Sequence, residues 1–258
     1  MMQRTPALVF FLSLSLSATA AASVSTDGAQ EEEHAQVLSQ FETEFRTEGR
    51  SRRRALNVEL AAKLLNGAVI EAGETLSFND RVGERSAERG FVNAPVIANG
   101  RIRQGLGGGV CQVSTTLHVA ALQGGLEIVE HRTHSRPSSY VDAGLDATVS
   151  WGRIDYKVRN PYAFPVRVHA FANDGVMQVS LEIPEQADAP TFEIETHTIR
   201  RIPVREEVVQ DEAVSERTIV RTGREGLVVR VTRISAEGER EVVRQRYRAA
   251  RRVVHVPA

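Results

Sequence analysis

Cys111 is the only cysteine among the 258 residues of this chain, and it limits how the fold can be stabilised. One cysteine excludes an intrachain disulfide, whereas small exported domains that need covalent support carry cysteines in pairs. The chain is long enough to bury one apolar core and to form a smaller second unit. Packing alone must therefore hold the domain together, and the unpaired thiol requires a separate explanation.

The N-terminus has the pattern of a signal peptide. Arg4 precedes an apolar run over residues 7–16, and a cluster of small residues follows. This run is too short to span the hydrocarbon of a bilayer. The sequence predicts a signal peptide over 1–22, cleaved near Ala20 to Ala22, and export to the periplasm or to the outside of the cell. No membrane insertion is expected after cleavage.

The formal net charge of −1 gives no long-range attraction to nucleic acid, so no nucleic-acid partner is expected. The sequence does not specify an oligomeric state.

Two stretches have helical character. Leu56, Leu60 and Leu64 recur at four-residue intervals, which predicts a helix over 53–65. This helix is expected to cover a sheet rather than to enter the functional site. A second helix is predicted over 111–123, and the two glycines that follow it predict its end.

Strands are predicted after the second helix. Residues 176–183 alternate apolar and polar side chains, which is typical of a half-buried strand. Before the second helix, Asn99-Gly100 favours a tight hairpin turn. The segments 227–235 and 241–249 flank a turn and predict a long hairpin with few large apolar residues. The predicted fold class is α+β: two helices packed on a mainly antiparallel sheet, followed by a separate C-terminal β-ribbon or hairpin extension.

The predicted domain organisation follows these patterns. Residues 37–45 fit either strand or helix spacing, and that alternative stays open. The segments after the signal peptide are a polar leader (23–38), an α+β domain (39–184), a linker (185–190) and a β-ribbon tail (191–258).

A glycine-rich turn immediately before the second helix is the strongest chemical signal. Gly107, Gly108 and Gly109 allow close backbone approach, and the helix that follows places Cys111 at its positive end. That position favours thiolate, and the amides near Gly109 to Gln112 can stabilise an oxyanion. The alternatives are a simple anion site and a buried, inert cysteine.

Residues downstream supply partners for a cysteine nucleophile. A cysteine at a helix start, then a histidine, then an acid is the order in papain-like catalytic cores. His134, which precedes a polar turn, is the predicted base, and Asp146 is the predicted acid that orients it. The alternatives are His131 for the base, and Asp155 and then Asp142 for the acid.

A metal site is the weaker interpretation of the same segment. His131 and His134 lie three residues apart, with Glu127, Glu130 and Cys111 as further ligands, but this spacing matches no standard zinc signature. No metal and no cofactor are predicted.

These residues resemble a VanW-type domain over about 57–183. The motifs that carry the resemblance are Gly73-Glu-Thr-Leu-Ser-Phe-Asn79, Gly90-Phe-Val-Asn-Ala-Pro95, Gly107-Gly-Gly-Val-Cys-Gln-Val-Ser-Thr-Thr-Leu117 and Gly144-Leu-Asp-Ala-Thr-Val149. The resemblance implies a cell-wall role. Some members of this family are peptidoglycan L,D-transpeptidases whose catalytic cysteine matches Cys111. The tail resembles, much more loosely, small β-ribbon wall modules.

The residues and the resemblance together predict an exported envelope protein that acts on peptidoglycan stem peptides, as an L,D-transpeptidase-like cysteine acyltransferase. Arg103 and Arg136 are candidates for binding substrate carboxylates, and the side chains of Ser114 and Gln112 are further candidate substrate contacts. The alternatives are a non-catalytic wall-binding protein and a cysteine peptidase or amidase with the same triad.

Overall fold

The computed structural model describes residues 35–98 and 101–258. The predicted signal peptide and most of the predicted leader lie outside these residues. Among the helices of the described part, none combines the length and apolarity needed to span a bilayer.

Three helices and fifteen strands form the described chain, and the strands pair mostly antiparallel. The helices are α1 (Arg52–Leu65), preceded by a 3-10 turn (Gly49–Ser51), α2 (Phe78–Val82) and α3 (Val110–Gln123). The strands of the first part are β1 (Ala35–Glu44), β2 (Ala68–Ile70), β3 (Thr75–Ser77), β4 (Asn93–Ala98), β5 (Arg101–Leu106), β6 (Glu127–Glu130), β7 (Lys157–Arg159), β8 (Val166–Asn173) and β9 (Val176–Pro184). The strands of the tail are β10 (Glu193–Ile202), β11 (Glu206–Gln210), β12 (Thr218–Arg221), β13 (Gly226–Ser235), β14 (Gly238–Tyr247) and β15 (Arg252–Val256). The α+β class is confirmed, with more sheet than helix.

The main sheet has the order β1-β9-β8-β2 and is antiparallel throughout. β9 alternates as its sequence predicts, since Met177, Val179 and Leu181 are fully buried on one face. α1 contacts β8, while α3 contacts β1 and β9. The apolar core lies between these helices and the sheet.

The segment whose spacing fits either a strand or a helix is β1. It is a strand and pairs with β9 with Phe41 opposite Val179. The strand begins at Ala35, inside the predicted leader, because pairing to β9 continues to Pro184.

The two long helices lie where they were predicted, and the buried face of α1 is made by residues other than the leucines of the four-residue pattern. Leu56 is 47% exposed, whereas Val58 and Leu65 are fully buried. Small side chains such as Ala61 and Ala62 line the buried face and let α1 approach its neighbours closely. The four-residue spacing predicts the helix but does not determine which residues are most buried, and Leu60 and Leu64 pack only partly buried against the core.

The C-terminal ribbon, residues 193–256, is more than a hairpin and is not separate. β13 and β14 form the predicted hairpin, to which β10 adds in a sheet ordered β10-β13-β14. A second sheet, β11-β15-β12, includes a parallel pair. The described residues form one compact unit, and Val231 of β13 is buried against Val119, Leu122 and Leu145. The prediction of a separate extension was wrong because the apolar valines of β13 alternate onto a face that packs against the domain.

Candidate functional site

The glycine turn fixes the start of α3 and therefore the position of Cys111. Gly109 is the N-cap residue, with φ of 115°, a conformation that disfavours any side chain. A Cβ on Gly108 would lie 2.6 Å from the carbonyl oxygen of Pro95. Asn57 of α1 is buried and donates to the Gly108 carbonyl oxygen at 2.9 Å. The turn is thus clamped between α1 and β4.

Cys111 is partly exposed, and its thiol lies against the segment 147–149. Its sulfur is 3.4 Å from the Val149 carbonyl oxygen and accepts a contact from the Val149 amide at 3.5 Å. Thr115 accepts from the Ala147 amide at 2.9 Å, which ties this segment to α3.

Ser114, a predicted substrate contact, is turned inward and serves the same attachment. Its side chain is fully buried, and its hydroxyl donates to the Ala147 carbonyl oxygen at 2.8 Å. α3 is buried on nearly every side, so a polar residue near the cysteine is turned inward.

His134 and Asp146, the predicted base and acid, lie together. Asp146 is fully buried, and its Oδ2 atom accepts from the His134 amide at 2.5 Å and lies 2.6 Å from His134 Nδ1. An ionised carboxylate can only accept, so the Nδ1 atom carries a proton. In the neutral ring this leaves Nε2 as the free base.

The thiol and the imidazole perturb each other. Burial raises the pKa of Cys111, but a hydrogen bond with His134, the His134 charge, the Val149 amide and Arg85 together bring it below its ordinary value. Burial lowers the pKa of His134, but Asp146 and Cys111 outweigh it and raise it to about 9. Both shifts favour a thiolate–imidazolium pair.

The Asp146 carboxyl stays ionised despite its burial. Burial raises its pKa, but hydrogen bonds from His134 and from Tyr247 outweigh this and leave the pKa below the ordinary value. Tyr247 belongs to the C-terminal ribbon, and its hydroxyl lies 2.5 Å from Asp146 Oδ1.

The alternative base and acids have other partners. His131 stacks on His118 with ring centroids 4.2 Å apart, and its Nε2 atom lies 3.0 Å from the Asp146 carbonyl oxygen. Burial lowers the pKa of His131, which makes it the weaker base. Asp155 bonds the Ser77 hydroxyl at 2.6 Å and the first turn of α2. Asp146 is therefore the acid that contacts His134.

The helix start offers fewer free amides than its glycines indicate. The Val110 and Gln112 amides already donate to the carbonyls of Gly107 and Gly109, at 3.1 and 2.9 Å. For the Cys111 amide, the described residues supply no acceptor. It is the amide best placed to stabilise the oxyanion that forms on a carbonyl group attacked by the adjacent sulfur.

Gln112 itself faces the interior, contrary to the prediction that its side chain contacts substrate. It is fully buried, donates to Thr43 Oγ1 at 2.8 Å and accepts from Arg54 Nη2 at 2.6 Å. Arg54 also lies over the Tyr140 ring, 5.8 Å from its centroid. α1 therefore enters the site through Arg54 and Asn57, although it was predicted only to cover the sheet.

The arginines whose charge acts on the thiol are Arg54 and Arg85 rather than the predicted pair. Arg103 is exposed on β5. Arg136 lies near Arg224, and its charge lowers the pKa of Arg224, although burial is the larger cause of that shift. Burial lowers the pKa of Arg85 to about 10. Sequence proximity to the motifs selected Arg103 and Arg136, but the loop before β4 brings Arg85 to the glycine turn instead.

The glutamates of the metal interpretation form surface ion pairs. Glu130 lies 3.0 Å from Lys157, and Glu127 lies 3.0 Å from Arg159. Within residues 35–98 and 101–258, no three His, Cys, Asp or Glu side chains are grouped as a metal site.

The ion pair predicts the pH dependence of thiol reactivity. We expect the rate of Cys111 alkylation by iodoacetamide to rise with pH, with a midpoint below that of a free thiol. His134→Gln removes the imidazolium, so the midpoint moves upward. Each unit by which the pKa of Cys111 rises lowers the thiolate fraction about tenfold at pH values below that pKa. Acyl transfer should also decline above about pH 9, where His134 loses its proton.

The matched control is His169→Gln, since His169 is 44% exposed and pairs with Glu182 on the main sheet. Identical midpoints for the His134→Gln variant and the unchanged protein would show that the two side chains are not coupled.

The fold and the site define an α+β protein in which one cysteine meets a His–Asp pair. Residues 53–182, half of the 258-residue chain, match the family described as VanW like protein, and the chain belongs to that family. This confirms the resemblance seen in the sequence motifs. The match ends before the C-terminal ribbon.

Two curated relatives are similar to the chain over part of its length. It is 41% identical over 146 residues to the uncharacterized protein YoaR of Bacillus subtilis (strain 168), a match that covers 57% of this chain and 48% of YoaR. It is 38% identical over 112 residues to the vancomycin B-type resistance protein VanW of Enterococcus faecalis (strain ATCC 700802 / V583), covering 42% and 41% of the two chains. The chain thus aligns with about half the length, or less, of these relatives.

Proposed function

We propose that this protein is exported to the cell envelope, periplasmic or secreted, and acts on peptidoglycan as a cysteine acyltransferase of the L,D-transpeptidase type. The observation that carries the proposal is the buried Asp146–His134 pair beside a partly exposed Cys111 whose pKa is lowered. A relative named for vancomycin resistance supports a role at the wall. A protein that only binds wall polymer has no need of a polarised thiol.

The first half-reaction forms a thioester. The Cys111 thiolate attacks the carbonyl carbon of the third, diamino residue of a stem tetrapeptide. The developing oxyanion meets the Cys111 amide at the positive end of α3. As the bond to the terminal D-alanine breaks, imidazolium His134 gives its Nε2 proton to the leaving amine.

The second half-reaction releases the enzyme. The side-chain amine of a second stem attacks the thioester carbonyl and gives a proton to neutral His134. The new amide forms, the carbon–sulfur bond breaks, and the thiolate–imidazolium pair returns. The product is a 3→3 cross-link, and water in place of the amine gives a carboxypeptidase instead.

Arg85 is the cation best placed for a substrate carboxylate. Its Nη1 atom donates to the Gly83 carbonyl at 2.5 Å, while its Nη2 atom has no hydrogen-bond partner within the described part of the chain. A guanidinium binds a carboxylate through two parallel hydrogen bonds. Arg54 is a second cation near the thiol, and Gln112 takes one of its donors, as Gly83 takes one of those of Arg85.

The proposal is tested by incubating the mature protein with purified tetrapeptide muropeptides and measuring intact mass, beside a Cys111→Ala control. We expect an adduct equal to the donor minus D-alanine in the unchanged protein and none in the control. Cross-linked dimers or tripeptides among the products then distinguish transpeptidase from hydrolase. Folded protein with an alkylatable thiol that yields neither adduct nor free D-alanine would favour the wall-binding alternative.

A further inference from the structure

The C-terminal ribbon supplies a side chain to the buried acid of the site. Tyr247, the last residue of β14, is 1% exposed, and its hydroxyl lies 2.5 Å from Asp146 Oδ1. The Gly144 amide donates to the same hydroxyl oxygen at 2.8 Å. Asp146 therefore has one oxygen bound by His134 and the other by the ribbon.

The direction of the tyrosine proton follows from these partners. Because the Gly144 amide donates to the hydroxyl oxygen, the hydroxyl proton is free to point at Asp146, which when ionised can only accept. Burial, and then the Asp146 charge, raise the pKa of Tyr247, so it remains a donor over the working pH range. The two bonds together fix the rotation of the Asp146 carboxylate.

The ribbon is docked closely enough to hold this contact. A Cβ on Gly144 would lie 2.8 Å from Val231 and 3.0 Å from Val229, both on β13 and both fully buried. Leu145, next to the acid, packs in one apolar cluster with Val231. The turn that carries Asp146 therefore lies between α3 and the ribbon.

We propose that the C-terminal ribbon is a working part of the site and that Tyr247 is a positioning residue, which holds the Asp146 carboxylate ionised and in line with His134. The proposal rests on the proposed function only in that Cys111 and His134 must form the reactive pair. It holds equally for transfer to an amine and to water.

Tyr247→Phe tests the proposal in the full chain, because it removes the hydroxyl and leaves the ring. Without it, Asp146 Oδ1 is a buried acceptor with no donor, and the carboxylate can rotate away from His134. We expect the pH midpoint of Cys111 alkylation to move upward and the rate at pH 7 to fall about threefold to tenfold. Tyr162→Phe is the matched control, since that hydroxyl donates to the Gly124 carbonyl at 2.8 Å.

A second comparison separates positioning from general stabilisation. In an Asp146→Asn background, Tyr247→Phe should cause no further shift in the alkylation midpoint, because coupled residues are not additive. If the Phe variant does not fold, Val231→Ala loosens the ribbon against Leu145 and should shift the midpoint in the same direction.

The results can contradict the proposal without touching the proposed function. An alkylation profile of Tyr247→Phe that coincides with those of Tyr162→Phe and the unchanged protein overturns the role of Tyr247, and so do additive shifts in the double variant. Alkylation needs no muropeptide. A failed muropeptide reaction beside a shifted Tyr247→Phe profile would therefore remove the proposed function and keep the role of the ribbon.

Discussion

Replacing Asp146 with asparagine is expected to lower the rate of acyl transfer by about three to four orders of magnitude at neutral pH. Asp146 Oδ2 accepts two hydrogen bonds from His134, one from its amide and one from Nδ1. An amide nitrogen in that place would donate, which moves the imidazole proton from Nδ1 to Nε2. The base that faces the thiol would then be lost.

Asp142→Asn is the matched control, because Asp142 precedes Asp146 in the same turn and was itself a candidate for the acid. Its carbonyl accepts from the Leu145 amide at 3.1 Å. Formation of the muropeptide adduct, followed by mass against time, should be slow only in Asp146→Asn. Comparable losses in both variants, or full activity in Asp146→Asn, would show that another group orients His134.

Gly108→Ala is expected to have the second-largest effect, on both stability and activity. The added Cβ would lie 2.6 Å from the Pro95 carbonyl oxygen and 2.8 Å from backbone atoms of Ala94, so the main chain itself must move. Overpacking of this kind lowers the free energy of unfolding by about 3 kcal/mol. Displacing the helix start by about 1 Å can also cost on the order of a hundredfold in rate.

Gly152→Ala separates steric contact from the general cost of losing a glycine. Gly152 has φ of 69°, and a Cβ added there would meet no described atom within 4 Å, so only a backbone cost of about 1 kcal/mol is expected. Denaturant unfolding of both variants measures the difference. Equal losses of stability would mean that the turn yields easily and does not hold α3 in place.

Local chemistry in the sequence was enough to locate the centre of the site. Three glycines followed by a helix predict the start of α3 and the place of Cys111, because both depend on backbone freedom within a few residues. His134 and Asp146 followed from their order along the chain, and the structure brings them within 2.6 Å. That order alone did not exclude Asp155, which caps α2 instead.

The direction in which side chains point was harder to predict than the positions of the helices and strands that carry them. Gln112 and Ser114 are polar neighbours of the cysteine, which made them candidates for substrate contact. Both are fully buried because α3 is covered on nearly every side, so polar groups near Cys111 bond the main chain of other segments. The exposure of Leu56 has a similar origin, since helical spacing does not tell which face meets the sheet.

The sequence by itself determined the class of the fold, the helix that carries Cys111 and the family. These depend on short-range patterns of glycine, apolar spacing and a specific motif. Only the tertiary structure decided that Arg54, Arg85 and Tyr247 surround the site, because each reaches it through packing between distant segments. Tyr247 lies 101 residues beyond Asp146, and no local pattern marks it. The bond between them exists because the valines of β13 are buried against the domain, and the free energy of that burial docks the ribbon.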